Sequence, residues 1–300
     1  LSAAQSSTFL RFWSRLPTIV RAVVAGIVVA FAGTVPWAIL SSLNLRYSPN
    51  IPWAVPVTAL YLFAFWWYLS GGGPPRATAA ARRESLRANS LTPSVWGAAL
   101  LAGVLGLATF VAFRRILARM LVLPGQSSSE TSHVAVFSLF FFLLMSAIVA
   151  GVAEEAAYRG YLQGPIERRH GPLVAILLTG LLFGFAHFTH PKVGLSLLPS
   201  YLLIAAVYGA LAWLTNSIFP SLVLHALGNF LGGLGLLFPH NGVPKPRPAL
   251  PPSVWQSGVD RSFWLSCLTF LLLAGITIWA YAALARVSRK SLKQAATIEA

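Results

Sequence analysis

"FSLFFFLLMSAIVAGVAEEAAYRGYLQ", residues 137–163, runs a long apolar stretch directly into two adjacent glutamates. The apolar part approaches the ~20 residues a helix needs to cross hydrocarbon. Nothing before Gly164 and Pro165 breaks the helical pattern, so the helix is expected to continue to Gln163. The acids stand out because the chain holds only seven in 300 residues. A charge near mid-membrane costs about 2.5–3.5 kcal/mol on insertion scales, so the pair demands compensation.

The rest of the chain has the same character. Hydrophobic residues make up 56% and charged residues 10%, with a mean hydropathy of +0.70. This composition specifies an all-α, polytopic membrane helix bundle, taken as a single transmembrane domain over residues 1–300. Membrane-length runs recur about eight times, near 17–43, 52–70, 95–113, 133–153, 172–190, 196–214, 217–238 and 262–284. The first is too long for the ~7–15-residue apolar core of a signal peptide and is read as a retained span. Only a few residues around Asn216 separate the sixth and seventh, which implies a tight hairpin.

The net charge of +15 is spread in short clusters between the apolar runs. That placement suits topology control and anionic lipid, not nucleic acid. With eight spans, about twelve Lys and Arg fall on the side of the termini and about eight on the other. The bias favours cytoplasmic termini in a cell (inner) membrane, with Arg114, Arg115 and Arg119 as the exception. The linker "GGGPPRATAAARRESLRANS" turns from Gly/Pro-rich to helix-prone. "RRILARMLVLPGQSSSETS" is expected to begin as an interfacial helix, and "FPHNGVPKPRPALPPS" is a Pro-rich loop. The single Cys267 excludes an intrachain disulfide.

Glu84, Glu130, Glu167, Asp260 and Glu299 are placed in loops or tails, which leaves Glu154 and Glu155 as the intramembrane acids. Glu155 and Arg159 stand at i, i+4 with the acid N-terminal, the favourable order for a helical ion pair. Glu154 points about 100° away on an α-helix and needs partners from other helices. His187 in "FGFAHFTH" and His225 in "SLVLHALGNF", with Asn229 one turn later, are the candidates. His133, His170, His190 and His240 are boundary or loop residues. Measured from one membrane face, Glu154 lies at about 13 Å, His225 at about 12 Å and His187 near 22 Å. The first two match; His187 fits less well. Tyr158 is one turn from Glu154 and a possible hydrogen-bond partner, and the Phe-rich run 137–142 is a lipid-facing or packing surface.

The chain has no H-E-x-x-H, no G-x-S-G and no paired intramembrane aspartates, which argues against three kinds of intramembrane protease. "EEAAYR" (Glu154, Glu155, Arg159), "FGFAH" (Phe183, His187) and "HALGN" (His225, Asn229) fit E-E-x-x-x-R, F-x-x-x-H and H-x-x-x-N in order. Over roughly residues 130–235 the chain resembles the CPBP family, the CAAX prenyl endopeptidases and their bacteriocin-processing and immunity (Abi) relatives. The resemblance implies an intramembrane endopeptidase acting on an apolar, prenylated or bacteriocin-like peptide or protein that enters from the membrane or cytoplasmic side. By position, Glu154 is the base that activates water, assisted by His187, and His225 and Asn229 stabilise the oxyanion. Glu155, Arg159, Phe183 and Tyr158 support them. No cofactor is favoured; a zinc centre of Glu154, His187 and His225 is the alternative. A non-catalytic immunity or scaffold protein is the first rival reading. A proton-coupled transporter is the second, disfavoured because no internal repeat is visible.

Overall fold

Apolar segments in lipid must satisfy their backbone hydrogen bonds internally, and the chain does so with helices throughout. A computed structural model describes residues 13, 15–121, 134–188, 191–238 and 252–298, as backbone alone at 191–193 and 292–298. His133, His190, His240, Glu130, Glu299 and most of the Pro-rich loop lie outside the described residues. Among those described, six helices are long and apolar enough to cross a membrane: α1 (Thr18–Tyr47), α4 (Pro93–Met120), α5 (Val136–His170), α7 (Pro191–Thr215), α8 (Phe219–Leu237, its last turn 3₁₀) and α9 (Arg261–Ile298). Two shorter apolar helices, α2 (Ala54–Leu69) and α6 (Pro172–Ala186), complete the eight expected runs. The amphipathic α3 (Ala79–Leu86) forms where the basic linker was expected to be helical. The molecule is a multi-pass helical membrane bundle.

One end of the bundle, called here the near end, gathers the turns that lead into α4, α6 and α8. There Asn89 Nδ2 donates to Asn216 O at 2.6 Å, and the Thr92 and Ser291 hydroxyls lie 3.4 Å apart. Asn216, in left-handed conformation (φ 49°), makes the tight α7–α8 hairpin. The far end joins α1–α2 to the start of α5, where Ala135 N donates to Asn50 Oδ1.

Three sequence expectations are corrected. The fourth span does not stop at Gly164–Pro165: α5 is α-helical over Val136–Val149, π-helical over Ala150–Gln163, and α-helical again over Gly164–His170. Pro165 stands in the first turn of this last stretch, where a missing N–H is tolerated, and the helix ends only at Gly171 (φ 82°). Residues 114–120 are no separate interfacial helix but the last turns of α4. Arg119 there is buried and bonds Pro252 O, Ser262 Oγ and Asp260, so this basic cluster is partly internal structure. Arg119, the Ser262 hydroxyl and the Phe263 N–H all donate to Asp260 and hold its carboxyl well below the usual carboxylate range. A depressed pKa gives stability that is present above the unfolded value and lost only as pH falls through the folded one, so the bridge survives mild acid.

Third, Glu167 is not a loop residue. It lies in the last turns of α5 and takes a two-pronged bond from Arg87 at 3.1 and 3.2 Å. Arg87 is itself buried and also donates to Ala212 O and Asn216 Oδ1, and Gln163 Nε2 donates to both Glu167 and Gly209 O. This polar clamp fastens α5 to α7 and the α7–α8 turn.

Small residues bring the helices close elsewhere. A Cβ on Gly151 would lie 2.9 Å from Ala226 Cβ and 3.0 Å from Leu222 O, so α5 and α8 touch backbone to backbone there. Gly160 sits equally tightly against Ser85 O at 2.7 Å. Gly151→Val should force α5 and α8 apart and destabilise by about 1–3 kcal/mol, read as a lowered thermal midpoint in detergent.

Candidate active site

The close contact at Gly151 sets the register of α5 on α8 and so places Glu154 and Glu155 opposite His225. The π-helical turn, bonded i→i+5, rotates each residue through a smaller angle than an α-helix. The two glutamates therefore splay less than expected, and both reach one imidazole.

Glu155 is fully buried, and His225 Nδ1 donates to its Oε1 at 2.8 Å. Arg159 Nη1 stands 3.3 Å from the same oxygen, so the expected i, i+4 pair is present. Arg159 is also fully buried, its guanidinium 5.3 Å from both the Phe183 and Tyr208 ring centres. Two aromatic faces thus replace water around this cation.

Glu154 lies on the other side of His225, with Oε2 3.7 Å from Nε2. The depth match of Glu154 and His225 is realised. Glu154 Oε2 is buried but makes no hydrogen bond to the protein, so its acceptor capacity is unspent. One histidine therefore stands between two carboxylates, tightly bonded to the fully buried one.

A cavity of about 390 Å³ opens beside this set, lined by Glu154, Phe183, His187, His225 and Asn229. His187 enters it because α6 is only about 22 Å long and ends within the bundle. His187 caps that helix, and its Nδ1 donates to Phe183 O at 2.8 Å. The carbonyl can only accept, so Nδ1 carries the proton and Nε2 is left for the cavity. Asn229 is exposed to the cavity one turn beyond His225. Arg114 and Ser200 also line it, so it extends from mid-bundle towards the far end.

Phe183 is buried at the centre of an aromatic group, 4.4 Å from His187, 5.1 Å from Tyr158 and 6.4 Å from His225. Tyr158 thus packs its ring on Phe183. Sequence reading missed Tyr208, stacked on His225 at 5.1 Å, and Tyr201, stacked on His187 at 5.2 Å. Their signal was available: two tyrosines seven residues apart share one face of an otherwise apolar helix.

Residues 136–231 match the family model of the Rce1-like type II CAAX prenyl endopeptidases. The match covers 96 of the 300 residues, and over that segment the chain is similar to this family. No curated protein and no solved structure matches. The Rce1-like segment runs from α5 to α8 and contains all three motifs, so it agrees with the family they resemble. Within it, among the described residues, no three His, Cys, Asp or Glu side chains form a group able to hold a metal. Glu154, His187 and His225 border one cavity without making such a group.

Glu155→Ala leaves Arg159 buried without its counter-charge and should lower stability by about 3–5 kcal/mol. Glu155→Gln with Arg159→Met removes both charges and should recover part of that loss, because the two sites are coupled. Thermal unfolding in detergent measures both.

Proposed function

We propose that the chain is an intramembrane endopeptidase in which Glu154 activates water against a peptide bond. One observation carries this reading: a buried carboxylate oxygen with no protein hydrogen bond faces His225 in a cavity that His187 and Asn229 also line. The Rce1-like match supports it.

In the first step the Glu154 carboxylate takes a proton from water as the water oxygen bonds to the scissile carbonyl carbon. His187 Nε2 accepts a hydrogen bond from the second O–H of the water, which stays on the attacking oxygen, and so orients the attack. The carbonyl oxygen becomes an oxyanion, to which Asn229 Nδ2–H donates, together with His225 Nε2 when that nitrogen carries a proton. Such donors act most strongly where water is excluded. In the second step the C–N bond breaks and the Glu154 proton passes to the departing amine, giving a carboxylic acid and a free amine. Glu155 and Arg159 hold His225 in place throughout.

An apolar peptide or protein segment, lipidated or not, fits a cavity walled by Leu107, Phe110 and Val111 on one side. The charge bias puts the near end in the cytoplasm. On that orientation the cavity extends away from the cytoplasmic face, so of the two expected routes, membrane or cytoplasmic side, the membrane one fits it better.

The purified protein should cleave peptides from a panel of prenylated and unprenylated apolar sequences. Glu154→Gln should lower kcat by at least about 10²-fold, in line with loss of a general base, while the fold is kept. Undiminished cleavage by Glu154→Gln would overturn the assignment. Loss on chelation with recovery on adding zinc would establish a metal-dependent mechanism instead.

A further inference from the structure

The cavity wall on α4 is a single helical stripe, Leu107, Phe110, Val111 and Arg114, at spacings of three and four residues. Three apolar side chains end in one cation. Arg114 is exposed, and its guanidinium lies 5.9 Å from the Phe110 ring centre. Among the described residues no carboxylate pairs with it. Glu84 is taken by Arg168, Glu155 by Arg159, Glu167 by Arg87, Asp260 by Arg119, and Glu154 faces His225. The neighbouring Arg115 does not line the cavity. Among the described residues Arg114 is therefore a cavity-lining cation without a protein counter-charge, and an anion entering the cavity can supply one.

We infer that Arg114 is the anion anchor of this site, binding a carboxylate or phosphate carried at one end of an apolar substrate whose body lies along Leu107, Phe110 and Val111. A guanidinium suits either anion, because its planar N–H groups can pair with two oxygens at once. Bound there, the anion fixes which part of the apolar chain lies over Glu154. Arg114 thus sets substrate register and takes no part in the chemical step. The inference rests on the endopeptidase reading only for its consequence in cleavage; the binding it requires is measured separately.

The test uses Glu154→Gln protein in neutral detergent, so that bound peptide is not consumed. One probe is a dansylated apolar peptide made with either a free C-terminal carboxylate or a C-terminal amide. The other is a dansylated lysophosphatidic acid. The carboxylate form should bind about tenfold more tightly than the amide, as expected for one charge-assisted contact. That difference should vanish with Arg114→Gln, survive in part with Arg114→Lys, and be unchanged with Arg115→Gln. If the two peptide forms bind alike but the phosphate probe is weakened only by Arg114→Gln, the anchor stands and its anion is a lipid headgroup. If Arg114→Gln alters neither probe, the inference is overturned. Arg114-dependent binding together with no peptide cleavage by the wild-type protein would overturn the endopeptidase reading alone.

Discussion

The 2.8 Å hydrogen bond from His225 to the fully buried Glu155 is the contact on which the rest of the site depends. Neither group is affordable in hydrocarbon alone. Glu155 needs positive charge and donors, and Arg159 and His225 provide them from its own helix and from α8. Once Nδ1 is committed to Glu155, the other imidazole nitrogen faces the cavity, 3.7 Å from Glu154 Oε2. A structural ion pair thereby holds His225 beside Glu154, the carboxylate proposed to activate water. Arg159, enclosed by Phe183 and Tyr208, ties the same contact to α6 and α7.

That contact also accounts for the form of α5. An α-helix would turn Glu154 and Glu155 further apart, whereas the π-helical run brings both to one histidine. Gly151 and Gly160 allow α8 and the Ser85–Leu86 backbone to close on that widened segment. At its near end the Arg87–Glu167–Gln163 clamp holds it, and Arg87 reaches the Arg159 carbonyl at 3.5 Å. Among the described acids, Glu84, Glu155, Glu167 and Asp260 each pair with an arginine, whereas Glu154 faces His225.

Much of this could be read from local sequence. The apolar runs required a helical bundle, the i, i+4 spacing required the Glu155–Arg159 pair, and rise per residue brought His225 level with Glu154. What escaped depends on tertiary approach. Glu167 looks like a loop acid until Arg87, eighty residues away in sequence, is brought to it. The π-helix has no period that distinguishes it in apolar sequence, and without it Glu155 reads as a brace on its own helix, not as the partner of His225. His187 does lie about 22 Å along α6, and it joins the set because the cavity reaches from mid-bundle towards the far end, which depth matching to Glu154 alone did not reveal.

The central claim is that Glu154 acts on water and not on the peptide itself. A single turnover in ¹⁸O-water, with enzyme in excess over peptide, separates the two directly by mass spectrometry. Water activation predicts ¹⁸O in the new carboxylate of the product and none in the Glu154 side chain. ¹⁸O found in Glu154, with unlabelled oxygen in the product of that first turnover, would show direct attack by the carboxylate and contradict the account.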